Sequence, residues 1–195
     1  MQIYKIIAMR KTLFIIAAMI LSLTATAQLK EEGETRDGLK QGTWYEIDTN
    51  RNLIRKVVQY EDGMKNGLYM EIDETGSLVK KCEYANDQLN GTAYIWYRGG
   101  RLSSKNCYKN GLLDGEQISC YEQGGTREIA NYKDGQRDGE SVWFGQEGNV
   151  VMSIEYSNGQ FHGKQKTYYK SGAIKSEAFY DNGKKISVRV FDEKQ

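Results

Sequence analysis

The chain contains no proline, a single histidine and only three cysteines in 195 residues. Without proline, chain reversal falls to glycine, of which there are 21, and to Asn and Asp. With His162 as the only imidazole, any Ser-His-Asp or Cys-His arrangement would have to pass through that one residue. Three cysteines and one histidine exclude a zinc site of four cysteines, or of two cysteines and two histidines, by count. An odd cysteine number also leaves at least one thiol unpaired within the chain. What is present is 39% hydrophobic and 27% charged residues, a globular balance, with 14 Tyr against 5 Phe. Tyrosine has an apolar ring and a polar tip and suits half-buried pleated surfaces, so the composition leans toward β.

One long apolar run occurs, and it lies near the N-terminus. Lys5, Arg10 and Lys11 precede "TLFIIAAMILSLTA", and Ala25-Thr26-Ala27 follows with Gln28 next. A basic start, a short apolar core and a small-x-small end make residues 1–27 a secretory signal peptide, the alternative being an uncleaved anchor. No cysteine follows the cleavage-like site, so no lipoprotein anchor is indicated. Residues 1–27 carry three of the 27 Lys and Arg and none of the 26 Asp and Glu, which leaves the remainder near −2. Near-neutral charge gives no reason to expect nucleic-acid binding. The expected location is the periplasm or cell envelope, or outside the cell.

The rest of the chain repeats. Tyr60, Tyr84, Tyr108, Tyr132, Tyr156 and Tyr180 are spaced by 24 residues. Ahead of each stand two further glycine series. One runs Gly38, Gly63, Gly111, Gly135, Gly159 and Gly183, with Asp87 in the third place; the other runs Gly42, Gly67, Gly91, Gly115, Gly139 and Gly163. A third series is Gly76, Gly100, Gly124, Gly148 and Gly172, and the first unit holds one extra residue near Asn50–Asn52. The units are 37–60, 61–84, 85–108, 109–132, 133–156 and 157–180, preceded by a spacer at 28–36 and followed by a half-repeat cap and tail at 181–195.

Residues after the second glycine alternate in character. Their third and fifth positions are Tyr45/Ile47, Met70/Ile72, Tyr94/Trp96, Ile118/Cys120, Val142/Phe144 and Lys166/Tyr168, which predicts a strand burying that face. A second strand follows the third glycine, with Leu78/Cys82/Tyr84, Leu102/Tyr108, Ala130/Tyr132, Val150/Met152/Ile154/Tyr156 and Ile174/Ala178/Tyr180 on the same apolar face, so each unit reads as a β-hairpin. One hairpin cannot offset its ordering entropy, whereas stacked hairpins can. The expected fold is all-β: an elongated single-layer antiparallel sheet of about six 24-residue hairpin repeats, roughly 60 Å long at the usual strand spacing.

Stretches such as "SNGQFHGKQKTYYKSGAIKSEAFYDNGKK" (157–185), "KDGQRDGESVWFGQEGNVVMSIEY" (133–156) and "EDGMKNGLYMEIDETGSLVKKCEY" (61–84) resemble the MORN repeat family, in the variant form of the YwqK-like antitoxin group. The resemblance covers about residues 37–185. It implies tandem β-hairpins forming a binding or assembly surface, with phospholipid contact, scaffolding or neutralisation of a cognate toxin as roles.

The Asp-Gly corners invite a calcium reading, which needs several anionic oxygen ligands. Yet the residue before the first glycine is Asp37, Asp62, Asn86, Asn110, Asp134, Asn158 or Asn182, so charge is dispensable there. What Asp and Asn share is tolerance of left-handed backbone, and the corners read as turns. No helical pattern follows the glycines, as a phosphate-cradling loop requires. His162 occupies a turn slot that Asn or Asp fills elsewhere. Cys82 and Cys107 are offset by one position in their strands and so face oppositely, which suits separate buried thiols rather than a disulfide. Neither a metal, a cofactor nor catalysis is expected from these residues.

The opposite face carries the candidate site. Tyr97, Tyr121, Trp143 and Tyr169 are expected to form an exposed aromatic stripe that binds a partner, or a cross-strand ladder that supports the sheet. The functional expectation is a non-enzymatic exported protein that engages a protein partner, either an envelope component or a toxin. Contact with acidic lipid is the further alternative, because residues 157–195 hold eight Lys and Arg against four Asp and Glu.

Overall fold

A computed structural model describes residues 28–193. The proposed signal peptide at 1–27 lies outside the described residues. Fifteen strands follow one another: β1 (Leu29–Arg36), β2 (Leu39–Asp48), β3 (Leu53–Glu61), β4 (Met64–Ile72), β5 (Leu78–Ala85), β6 (Gln88–Leu89), β7 (Gly91–Trp96), β8 (Leu102–Lys109), β9 (Leu112–Cys120), β10 (Thr126–Lys133), β11 (Gln136–Phe144), β12 (Val150–Ser157), β13 (Gln160–Tyr168), β14 (Ile174–Asp181) and β15 (Lys184–Val190). They form one open sheet in which each strand pairs antiparallel with its sequence neighbours. The short β6 is the start of β7's strand, interrupted at Asn90, and both pair with β5. The sheet is thus all-β, with the tandem-hairpin order that the 24-residue recurrence predicts.

The corners explain the order. Asp62-Gly63, Asn110-Gly111, Asp134-Gly135, Asn158-Gly159 and Asn182-Gly183 all have positive φ, near 50° at Asp or Asn and near 80° at Gly. Two successive left-handed residues define the type I′ turn, whose twist matches that of an antiparallel pair. In the third unit Asn86 and Asp87 adopt the same conformation at φ 50° and 63°, so Asp87 replaces the glycine without changing the turn. The corner reading therefore holds for Asp and Asn alike.

The second glycine does something different. Between Val58↔Tyr69 and Tyr60↔Lys65 the register slips, so that Gln59 alone faces the segment around Gly67. The same bulge recurs in β10–β11 and β12–β13. Gly67, Gly139 and Gly163 sit there at φ 97–101°, a conformation that costs any other residue dearly. The facing side chain plugs the bulge: Gln59 Oε1 accepts from Leu68 N–H at 2.7 Å and Glu155 Oε2 from Lys164 N–H at 2.9 Å.

Two expectations change. Residues 28–36 are not a spacer. They include β1, which pairs with β2 along its length, with Gly33 beneath the Trp44 ring and the Trp44 indole N–H donating to the Glu34 carbonyl at 3.0 Å. For the first strand of each unit, the better-buried face is also the opposite of the one expected. Tyr45 is 38% exposed and Ile47, Met70, Ile72, Tyr94, Trp96, Ile118, Cys120, Val142, Phe144, Lys166 and Tyr168 are only half-buried. The deepest column instead pairs the second position after each glycine with the following strand: Trp44↔Val58, Tyr69↔Cys82, Ala93↔Asn106, Gln117↔Ala130, Ser141↔Ile154 and Gln165↔Ala178. Val58, Cys82, Ala93, Ala130, Ile154 and Ala178 are all buried there. The reason is the row of recurrent tyrosines two residues further on, which shares this face. Trp44 meets Tyr60 edge-on at 6.3 Å between ring centroids, and Tyr69 meets Tyr84 at 5.7 Å. Small residues beside large rings let a single-layer sheet cover part of itself.

Gly163→Ala is expected to cost about 1–3 kcal/mol, because Ala must hold a strained φ and its methyl meets the Glu155 carboxylate. Asp134→Asn should shift stability by less than about 0.5 kcal/mol. Urea unfolding monitored by tyrosine and tryptophan fluorescence checks both.

Candidate binding face

The row of recurrent tyrosines is interleaved by the residue two places before each second glycine. Register places Tyr60 against Lys65, Tyr84 against Leu89, Tyr108 against Leu113, Tyr132 against Arg137, Tyr156 against Phe161 and Tyr180 against Lys185. Long side chains therefore alternate with phenol rings along the sheet. Lys40 Nζ sits 4.2 Å from the Trp44 ring and 5.1 Å from Tyr60, and Lys65 Nζ sits 5.1 Å from Tyr84. Phe161 contacts Tyr156 and Tyr180 edge-on at 5.1 and 5.3 Å. Cation–π and aromatic contacts of this kind contribute about 0.5–1.5 kcal/mol each.

Arg137 is the centre of the most developed part of this face. Its guanidinium carbon lies 5.4 Å from each of the Tyr132, Trp143 and Tyr156 rings. One terminal nitrogen donates to Glu128 and the other to the Ser141 hydroxyl at 2.8 Å. Burial works against its charge, yet the Glu128 carboxylate and the neighbouring phenols outweigh that and raise its pKa. Beside it runs a groove of about 180 Å³ lined by Asn106, Tyr108, Gln117, Ser119, Glu128 and Tyr132, among others. At its base Gln117 donates through Nε2 to the Cys107 carbonyl at 3.0 Å, which fixes the amide's orientation. Its Oε1 is buried and has no hydrogen-bond partner. A second groove of about 160 Å³ lies near the N-terminal edge between Lys40, Trp44, Glu46, Lys56, Tyr60 and Lys65, where Lys56 and Glu46 pair at 2.9 Å.

The predicted stripe is divided. Tyr97, Tyr121 and Tyr169 occupy one column at the strand ends, and each hydroxyl reaches the next unit. Tyr97 donates to the Cys120 carbonyl at 2.9 Å, Tyr121 to Phe144 at 2.7 Å and Tyr169 to Phe191 at 2.9 Å. Gly145 stands at the corresponding place in the fifth unit, so Trp143 belongs to the neighbouring column and faces Arg137 instead. The three tyrosines are half-buried inter-unit ties, and Trp143 alone joins the aromatic face. Asp48 and Asp73 fill the tyrosines' place in the first two units and cap their own turns. Asp48 is fully buried, 3.2 Å from the Arg51 guanidinium, and Asp73 accepts from the Thr75 hydroxyl and from the Thr75 and Ser77 N–H groups. These bonds, the Thr75 hydroxyl's foremost, hold the Asp73 carboxyl below its ordinary pKa.

His162 lies in a turn. Its Nδ1 is 3.5 Å from the Asn182 N–H and 3.4 Å from the Asp181 carboxylate. Asp114 and Asp138 accept from the corresponding N–H groups of Asp134 and Asn158, so the imidazole stands where other units place a carboxylate acceptor. Cys82, Cys107 and Cys120 are all free thiols. Burial pushes the Cys82 thiol up, against the pull of Lys80 and Lys65. Among the described residues no group of three or more His, Cys, Asp or Glu is placed to hold a metal ion. The sequence reading missed Arg137, Gln117 and Glu128. The usable signal was the run Lys40, Lys65, Leu89, Leu113, Arg137, Phe161 and Lys185, a column of long side chains in step with the tyrosines.

A family model described as a MORN repeat variant matches residues 161–184, within the sixth unit and its junction to the cap. This supports the MORN repeat family, whose presence suggests a repeat protein with protein or membrane contacts. The search of curated proteins returns no match. Among solved structures, a chain of "Crystal structure of GtfA/B complex bound to UDP and GlcNAc" is 10% identical, with a TM-score of 0.28. The match covers 66% of this chain and spans only 24% of that one.

Two measurements check the face. Tyr121→Phe removes only the hydroxyl tie to Phe144 and is expected to lower unfolding free energy by about 0.5–1.5 kcal/mol in urea. Burial, joined at Tyr69 by Glu71, raises the phenol pKa of Tyr69, Tyr84, Tyr108 and Tyr156 above 10. A proton held more tightly in the folded chain gives stability that is present below the unfolded pKa and lost as pH rises through the folded one. Urea midpoints should therefore be level between about pH 8 and 9 and fall beyond about pH 10; a midpoint that held or rose there would contradict this burial.

Proposed function

We propose that this is a non-enzymatic, exported repeat protein of the cell envelope or periplasm that binds a protein partner through the aromatic–cationic face around Arg137 and Trp143. The observation that carries the reading is the Arg137 cluster, in which one half-buried guanidinium lies 5.4 Å from each of the Tyr132, Trp143 and Tyr156 rings. The cluster borders a groove that Gln117 and Glu128 also line. A partner side chain fits that groove, while the surrounding rings supply apolar contact of the kind that anchors protein interfaces. The inter-unit tyrosine ties favour this use, since a face held in one shape loses little freedom on binding. A toxin as the partner, as in the YwqK-like antitoxin group, is the finer form of this reading. Phospholipid contact by the basic residues of 157–195 is the alternative.

Crosslinking in the native envelope with the wild-type chain and with Arg137→Ala and Trp143→Ala tests it. The expected result is one dominant protein whose recovery falls at least about tenfold in both variants, with circular dichroism unchanged. If that protein is toxic when produced alone, the antitoxin form follows. Equal recovery with all three chains would overturn the assigned face. Sedimentation with anionic vesicles at low salt, without any protein partner, would replace the reading by the lipid one.

A further inference from the structure

An open sheet has two free edges, and here each edge is half of a repeat. β15 is the first strand of a seventh unit whose second strand is absent among the described residues, and Lys185 stands where Phe161 and Arg137 stand in earlier units. β1 is the second strand of a unit whose first strand is absent among the described residues, with Thr35 facing Lys40 in the place that Tyr60 takes against Lys65. The two half units are complementary in kind.

They are also complementary in direction and charge. The main path of the sheet has fourteen strands, each antiparallel to the next. An even number makes β1 and β15 run oppositely. A second copy displaced along the sheet therefore presents its β1 antiparallel to β15, which is the pairing used throughout the molecule. Every residue of both strands is exposed. β15 carries Lys184, Lys185 and Arg189 and no acid, whereas β1 carries Glu31, Glu32 and Glu34 against Lys30 and Arg36. β15 also leaves Ile186, Val188 and Val190 at 57%, 57% and 74% exposure. Its backbone points outward at the right places: Phe191 N–H bonds inward to the Lys175 carbonyl, so Val190 and Val188, at alternate positions, direct theirs to the free edge.

We propose that copies of this chain join head to tail, β15 of one against β1 of the next, completing one repeat across the junction. Such a contact is heterologous and leaves a free edge at each end, so it propagates. It buries edge N–H and C=O groups that soluble proteins ordinarily shield. The proposal does not depend on the Arg137 face, and neither test decides the other.

Light scattering behind size exclusion on the purified full chain tests it, over a hundredfold range of concentration and at low and high salt. Mass should rise with concentration in steps of one chain and fall with salt. Arg189→Glu combined with Val190→Pro blocks β15 by charge and by loss of an outward N–H; Glu32→Lys combined with Glu34→Lys blocks β1. Each variant alone should be monomeric with unchanged circular dichroism, and an equimolar mixture should give a heterodimer and nothing larger. A wild-type monomer at every concentration would overturn the proposal. So would assembly that persists in the β1 variant and disappears only in the β15 variant, which means pairing of β15 with itself.

Discussion

The sheet depends on the left-handed corner and on one bond that it makes. Gly63, Asp87, Gly111, Gly135, Gly159 and Gly183 each donate their N–H to the carbonyl of the residue that interleaves the tyrosines in the preceding unit, at 2.8–2.9 Å. The bond forms only if the corner residues turn left-handed, and it fixes each new hairpin against the last. Because the interleaving residue is held by its own carbonyl, its side chain is placed over the tyrosine row. Backbone geometry thus determines where Lys40, Lys65, Arg137 and Phe161 act. The aromatic face is a consequence of the turns.

Stability in such a molecule is local and additive. Among the described residues no second layer covers the sheet, so each unit buries what it can against its neighbours, and the buried column is built of small residues beside rings. Where the column turns polar, at Asn106, Gln117 and Ser141, burial contributes less and hydrogen bonds must take over. The bonds of Arg137 to Glu128 and Ser141 serve that need, and the groove opens in the same stretch.

The corners and the strand order were legible in the sequence because they are local. Glycine at a fixed interval, with Asn and Asp exchanging before it, specifies a turn without knowledge of anything distant. The buried face of the first strands was not legible for a physical reason. Both faces alternate, and Tyr45, Tyr94 and Trp96 made the wrong one look more apolar. The decision lay in how strands meet, and the bulges at Gly67, Gly139 and Gly163 shift that meeting. The site was legible only in part. Trp143 stood out as an aromatic, but Arg137, two residues before a glycine, carried no signal taken alone, while Tyr97, Tyr121 and Tyr169 looked like a binding row because their carbonyl acceptors lie 22–23 residues away.

The extra residue of the first unit, in the turn around Asn50–Asn52, shows that the sheet has a reading frame. Asn52 takes the left-handed φ of 51° that glycine takes in later units, and the strands on either side keep their pairing. An insertion at that end of a hairpin is absorbed there. An insertion between a corner and its bulge would turn the rest of that strand to the wrong face. The molecule can therefore lengthen by whole units or by single residues at one rim, and its length is a quantity that duplication can edit without redesign of its surface.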